Sequence, residues 1–327
     1  MIGPITLGNR IFPVNIIQGP LAGISSAPFR LLSWRYGQPA LVYTEMVSCK
    51  TLIHQSRNSV SNFVRQLPGE GPLGVQLSGT SSSEIGEAVK IATDAGAATI
   101  DLNCGCPVKK IRKRGAGSAH LSEPSRLYQL IVAMKQNTNL PVSIKIRVDG
   151  DSSDAFNQEI AKVISDAGLD FLIVHGRHWS ERYDQNCRHD EIRSFVNELN
   201  IPVIGNGDIA CMDSLQQMFA TGCAGVMIGR ASVGQPWLVK NLVTEAAGRQ
   251  PVHPTAKERG NIFYEHVMLL ADFLGSEIPA LLQARKFCKY YARNMADIDK
   301  FCDAVNHCTN LDRLNIICRN FFVTGQE

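Results

Sequence analysis

Residues 202–230 read Pro-Val-Ile-Gly-Asn-Gly-Asp-Ile-Ala-Cys-Met-Asp-Ser-Leu-Gln-Gln-Met-Phe-Ala-Thr-Gly-Cys-Ala-Gly-Val-Met-Ile-Gly-Arg. Two short apolar runs, 203–206 and 225–229, flank a stretch of helix formers at 213–220 that stops near Gly222. Strand, helix and strand in so short a span make the repeating unit of a parallel sheet. Working outward, the same rhythm recurs at 14–18, 40–44, 73–77, 99–103, 142–147 and 171–175, with helical stretches such as 83–95 and 159–167 between. Eight strands alternating with helices predict an α/β chain folded as a TIM (β/α)8 barrel. A doubly wound sheet, the competing arrangement, normally has fewer strands.

The chain has 327 residues, of which 44% are hydrophobic and 19% charged, with a mean hydropathy of -0.05. That composition supports a sizeable core and excludes disordered, collagenous and coiled-coil classes. No apolar run approaches the ~18 residues of a membrane span. Asn9, Arg10, Pro13 and Asn15 interrupt any leader-like stretch, so neither a secretory signal nor a membrane partner is expected. The 33 Lys and Arg residues exceed the acidic ones by three, which argues neither for nor against a nucleic-acid partner. Ten cysteines are scattered through the chain, and only Cys104 and Cys106 lie close together. A C-x-C without a second cysteine or histidine pair makes a poor zinc site, so no metal is expected, and reduced thiols fit better than disulfides.

Each strand ends on a polar residue that a buried strand would avoid: Gln18, Glu45, Gln76, Asn103, Lys145 with Arg147, His175, Asn206 and Arg230. One such residue is commonly satisfied by local backbone. Eight converge, because barrel tips share the face on which active sites form. After strands seven and eight, Gly205-Asn206-Gly207-Asp208 and Gly229-Arg230 stand where barrels bind phosphate through backbone amides. Arg230 suits bidentate contact to that group. A lysine at 145 needs a negative partner, which the reduced isoalloxazine of a flavin offers. Gln76 suits its pyrimidine edge, and His175 adds a donor. No GxGxxG precedes a helix, so a Rossmann site is not indicated.

Strand four runs into Asn103-Cys104-Gly105-Cys106-Pro107-Val108-Lys109-Lys110-Ile111-Arg112-Lys113-Arg114, with five basic residues among the eight from Pro107. A charge run is usually a solvated face, but this one hangs beside the mouth of the barrel, where it would hold a polyanion. The glycines at 115 and 117 suggest a loop able to move.

The chain here resembles the tRNA-dihydrouridine synthases, most closely the bacterial B-type. The motifs are Pro20-Leu21-Ala22-Gly23, Thr44-Glu45-Met46, Val75-Gln76-Leu77, Asn103-Cys104-Gly105-Cys106-Pro107, Lys145-Ile146-Arg147, Val174-His175-Gly176-Arg177, Asn206-Gly207-Asp208 and Gly229-Arg230. They cover nearly all of residues 10–245, and the likeness continues more weakly to the end. The resemblance implies tightly bound FMN held by Pro20, Leu21, Ala22, Gln76, Lys145, His175, Asn206, Gly207, Asp208, Gly229 and Arg230. It implies NADPH as reductant, tRNA as substrate and a cytoplasmic enzyme, and it implies no protein partner. Hydride would go from FMN to C6 of a uridine and a proton from Cys106 to C5. An ordinary thiol, with a pKa of about 8.5, is mostly protonated at neutral pH and can act as such an acid. Cys104 is the rival on sequence alone; the family places the acid directly before proline. Asn103 and Arg147 would read the uracil edge. Tyr183 matches a position near the substrate, and a plain loop tyrosine explains it equally well. Lys109, Lys110, Lys113 and Arg114 would grip the RNA.

Pro251 and Pro254 mark a break after the barrel, expected to span residues 1–245. Residues 252–327 carry nine basic and nine acidic side chains and predict a small all-α module with helices at 261–274, 278–295, 296–307 and 311–321. Phe263, Leu270, Leu281, Tyr290 and Phe301 would form its core. Arg285, Lys286, Lys289 and Arg293 fall at helical spacing, which suits a solvated face or a tRNA contact; the resemblance favours tRNA. Departures from the family pattern are Leu21 for methionine, Ser26 for aspartate, His178-Trp179 for Thr-Arg, Cys187-Arg188-His189 for a small-residue and aspartate segment, and Phe287 for histidine. Two other readings stay open: a flavin barrel acting on a free pyrimidine or enone, and a non-catalytic tRNA-binding flavoprotein.

Overall fold

The computed structural model of the chain describes residues 1–55, 63–149 and 154–324. A short antiparallel hairpin, β1 (Ile5–Leu7) with β2 (Arg10–Phe12), comes first. It was not expected from the apolar runs, and its signal is the Gly8-Asn9 pair between the strands. The parallel sheet follows as β3 (Ile16–Gln18), β4 (Val42–Tyr43), β5 (Val47–Ser48), β6 (Leu73–Ser78), β7 (Thr99–Cys104), β8 (Val142–Val148), β9 (Phe171–His178), β10 (Val203–Asn206) and β11 (Gly225–Ile228). β4 pairs with both β3 and β6, which closes the sheet into the expected barrel. The second barrel position is broken: the strand stops at Tyr43 and resumes as β5, still paired to β6 through Val47 and Leu77.

Parallel register arranges the inward side chains in tiers. Successive strand residues point to opposite faces, so Ile100, Leu102, Ile144 and Ile146 are wholly buried on the outward face of β7 and β8. The opposite face alternates with them. Gln76, Asp101 and Ser143 are in register, then Asn103 and Lys145, then Arg147, His175 and Asn206 toward the C-terminal ends. Below them Gly74 is in register with Tyr43 and Thr99, and the Tyr43 hydroxyl lies 3.3 Å from Thr99 Oγ1. Polarity therefore rises toward the mouth, and the strand chemistry puts the site there.

By contacts the chain falls into two compact units, Met1–Ser26 with Pro39–Gly229, and Ala27–Gln38 with Arg230–Glu327. The second unit is helical, and the helix after β3, Ala27–Gly37, belongs to it. Tyr36 donates its hydroxyl to Glu265 at 2.7 Å, and Arg35 pairs with the same carboxylate. The helix Ala256–Leu274 begins earlier than the apolar pattern suggests, because Thr255 and Glu258 form a reciprocal capping box. It is followed by helices Glu277–Tyr291, Ile298–Asn306 and Leu311–Arg319. Phe263, Leu270, Leu281 and Phe301 are buried as expected, but Tyr291 takes the core place expected of Tyr290. One residue along a helix turns a side chain by about 100°, and Tyr290 instead lies beside Lys289 and Arg293. Phe287 is also core, its ring 4.4 Å from that of His266, so this departure from the family pattern concerns packing. Among the described residues no helix is long and apolar enough to cross a membrane.

A Cβ at Gly74 would meet Tyr43 Cε1 at 2.4 Å, so the large ring needs glycine opposite it. Gly74→Ala is expected to cost about 1–3 kcal/mol of stability by overpacking the barrel. Urea unfolding reads it directly, and an unchanged midpoint would show that the tier can reshape.

Candidate active site

Asp101 lies at the bottom of the polar tiers, wholly buried. Its two carboxylate oxygens accept from Ser143 Oγ at 2.7 Å and from Gln76 Nε2 at 2.8 Å. Burial pushes Asp101 up to about 7, against the hydrogen bonds from Ser143 and Gln76 and the charge of Lys145, which lower it. The other end of the Gln76 amide accepts from Asn103 Nδ2 at 2.8 Å. Asn103 Oδ1 then accepts from the backbone N–H of Cys106 at 2.9 Å and of Gly105 at 3.3 Å. A continuous hydrogen-bonded path thus leads from the buried carboxylate to the backbone of the thiol loop.

Lys145 projects one tier above Asp101, on the same face of β8 as Ser143. Its ammonium donates to Asn206 Oδ1 at 2.9 Å, and Asn206 Nδ2 donates in turn to the carbonyl of Met227. Burial, then the charge of Arg147, brings Lys145 down to about 8, with Asp101 pulling the other way. The lysine thus has a neutral oxygen as its hydrogen-bond acceptor, an arrangement that suits an anionic group.

The loop after β9 is pinned by arginines. Arg147 Nη1 donates to the carbonyls of His178 at 2.8 Å and Glu181 at 3.4 Å, so this expected substrate contact already holds protein backbone. Arg177, almost wholly buried, donates to Gln185 O at 2.6 Å and pairs with Asp208, whose carboxylate also accepts from Cys187 N. Arg177 Nη1 lies 3.3 Å from His175 Nε2, and the His175 and Tyr183 rings stack at 6.4 Å. Gly207 has φ 136°, and Asp208 takes the left-handed region at φ 51°, uncommon for a residue with a Cβ. Tyr183 is exposed, with Arg147 and Arg177 each within 6 Å of its ring centre.

Pro20 and Leu21 are half-buried and Ala22 exposed in the loop after β3; Gly19 N donates to Ile228 O, which draws that loop toward Gly229. Gly23 N donates to Glu45 Oε2 at 2.6 Å, while Gln18 is spent on the carbonyls of Gly19 and Ile228. Arg230 opens the 3-10 turn Arg230–Ser232 directly after β11.

Cys104 and Cys106 part company in the structure. Cys104 is wholly buried, and burial, then the Asp101 charge, raises its thiol well above the usual range. Cys106 is partly exposed. After Pro107 the chain forms the short helix Lys109–Arg112 and then the 3-10 helix Gly117–Ser122, so much of the expected loop is helical. Gly117 has φ 63°, and a Cβ there would lie 2.7 Å from Cys106 O, while Ser118 N donates to that same carbonyl at 3.1 Å. Lys109, Lys110, Lys113 and Arg114 are exposed, whereas Arg112 stacks on Trp179. In the helical unit Arg285, Lys286 and Lys289 are exposed on Glu277–Tyr291. Sequence reasoning gave no part to Asp101, Ser143, Arg177 or Glu181. Asp101 sits two residues before Asn103, on the same strand face, and that spacing was its available signal.

A closed parallel barrel whose polar groups gather at the strand C-termini is a barrel enzyme by architecture. Solved barrels share the fold. DHODH of Eimeria tenella in complex with ferulenol superposes with a TM-score of 0.57 at 14% identity, over 75% of this chain and 85% of that one. Morphinone reductase in complex with tetrahydroNAD does so at 0.57 and 12%, over 77% and 91%. Residues 17–324 match the family described as Dihydrouridine synthase (Dus), and the chain belongs to it, as an oxidoreductase acting on a CH–CH bond. It is 31% identical over 323 residues to tRNA-dihydrouridine synthase B of Pasteurella multocida (strain Pm70), covering 98% of this chain and 95% of that protein. The probable tRNA-dihydrouridine synthase 1 of Synechocystis sp. is 33% identical over 293 residues, 89% and 81% of the two chains.

Asp101 keeps its proton in the folded chain to about pH 7, whereas an unfolded aspartate loses it near pH ~3.9. Between those values the native state binds the extra proton, so stability falls as pH rises through the window. Relative to Asp101→Asn, the wild type is expected to lose stability at a slope approaching about 1.4 kcal/mol per pH unit between those limits. Urea unfolding of both proteins across that range checks it, and parallel curves would mean that Asp101 is charged throughout.

Proposed function

We propose that this barrel binds FMN and uses NADPH to reduce the C5=C6 bond of specific uridines in tRNA. The observation that carries the reading is the path from Asp101 through Gln76 and Asn103 to Cys106 N, which fixes a partly exposed thiol beside the polar tiers. The residues present fit the cofactor. Lys145, bonded to the neutral oxygen of Asn206, would face its anionic edge, whereas Gln76, expected at the pyrimidine edge, already gives both ends of its amide to Asp101 and Asn103 and would act through that network. Pro20, Leu21 and Ala22 follow β3, Gly207 follows β10 and Gly229 follows β11, so their backbone amides would suit the phosphate, and the guanidinium of Arg230, next in the chain, would add charge. Asp208 and His175 act through Arg177, which ties both to the loop after β9. FMN, when bound and reduced there, would supply a hydride for C6 of the uracil.

The chain's own residues handle the rest. Hydride addition leaves negative charge at C5 and O4, and the S–H bond of Cys106 breaks as its proton passes to C5. The thiolate left behind recovers a proton from solvent. Cys104 is unsuited to this part because it is wholly buried. Asn103 and Arg147 border the place where the base must sit, Asn103 through its bond to Gln76 and Arg147 through the loop bearing Tyr183. A stacked base has to leave its helix to reach them. The exposed Lys109, Lys110, Lys113 and Arg114 supply phosphate contacts that bring it there, with the salt dependence such contacts carry. Residues 1–245 would thus serve as the catalytic domain and 252–327 as a tRNA-binding module, using Arg285 and Lys286.

Purified protein is expected to be yellow. Dihydrouridine mapping in tRNA from cells with and without it should reveal specific positions that depend on it, and identical maps would remove the assignment. Cys106→Ala should retain flavin and tRNA binding while single-turnover reduction falls by about 10²–10⁴. Full activity in that variant would refute the proton-donor role.

A further inference from the structure

Of the five basic residues that follow Cys106-Pro107, four are exposed and one, Arg112, is half-buried against protein. The guanidinium carbon of Arg112 lies 3.2 Å from the centre of the Trp179 ring, and both side chains are half-buried. Arg112 Nε is buried without a hydrogen-bond acceptor among the described residues. Its place over the indole accounts for that: the ring face attracts the cation without offering Nε a lone pair.

The two partners differ in how firmly each is held. Trp179 stands on a braced loop: Arg147 bonds the carbonyls on either side of it, His178 N donates to Glu181 Oε2 at 2.8 Å, and Arg188 pairs with the same carboxylate. Arg112 ends a helix of only four residues, behind which the chain turns through two glycines of positive φ. A helix that short has little stability of its own. Cys106 hangs between this helix and its bonds to Asn103 and Ser118.

We infer that the Arg112–Trp179 stack is a latch that positions the Cys106 thiol, with Trp179 the fixed half and Arg112 the movable one. The inference rests on the proposed function only for what the thiol does. In the competing arrangement the two side chains touch RNA separately. A latch acts as a unit, so its two halves are not additive when removed; separate RNA contacts multiply, and they weaken binding rather than the step after it.

The test uses the holoenzyme reduced anaerobically with NADPH and mixed with unmodified tRNA transcript. Trp179→Ala and Arg112→Ala should each slow flavin reoxidation about five- to thirtyfold, the scale of a partly desolvated cation–π contact. The double variant should be no slower than the slower single, and Trp179→Phe should recover most of the rate. Flavin reduction by NADPH and the tRNA dissociation constant should stay within about twofold. Multiplicative losses, or losses confined to tRNA affinity, overturn the latch. A second measurement is independent of the reaction. Without tRNA, trypsin should cut the segment 109–114 about tenfold faster in Trp179→Ala than in wild type or Trp179→Phe. Equal cleavage overturns the latch even if the wild type does not reduce tRNA, whereas faster cleavage in such a protein would sink only the proposed function.

Discussion

One buried carboxylate orders the mouth of this barrel. Asp101 faces Ser143 and Gln76, and both present donors to it. A carboxylate oxygen that accepts from Gln76 Nε2 leaves the Gln76 amide one orientation, with Oε1 turned toward Asn103. Asn103 is then oriented as well: its Nδ2 is spent on Gln76, and Oδ1 is left for the backbone of Gly105 and Cys106. Removing any link would strand a buried polar atom, at a cost of about 1–3 kcal/mol. The network therefore resists rearrangement and carries position from the lowest polar tier to the thiol loop.

Lys145 is the complementary charge. It sits a tier above Asp101, so each moderates the cost of burying the other, yet neither is bonded to the other. The carboxylate spends its oxygens on Ser143 and Gln76, and the ammonium turns to Asn206. A direct ion pair would have neutralised the lysine. Keeping the two apart leaves a positive group at the centre of the mouth, bonded only to a neutral oxygen.

The eight strand positions were legible because short continuous apolar runs, the mark of strands buried on both faces, are local properties of the chain. The polar tips were legible for the same reason, as was the resemblance they carry. What stayed hidden depends on partners distant in sequence. The spacing of Asp101 two residues before Asn103 marks its face of β7, but its role follows from its register with Gln76 and Ser143, 25 and 42 residues away. The break after Tyr43 depends on how β4 and β5 each meet β6. Tyr290 and Tyr291 are adjacent and chemically alike, so only the packing of neighbouring helices decides which one is buried. Trp179 was legible as a departure from the family pattern, but its partner lies on another loop.

The fate of the basic run shows why charge counts say so little about partners. Five cations crowded into one helical turn and its flanks repel one another, and an exposed cluster gains from a polyanion that neutralises it. Four of the five face solvent, where such a ligand can reach them. The fifth is turned inward onto an aromatic face, which holds a cation without cancelling its charge. Arg112 instead ties the thiol loop to the braced loop after β9. Basic residues within one short run thus serve attraction and placement, and only the location of one indole separates the two.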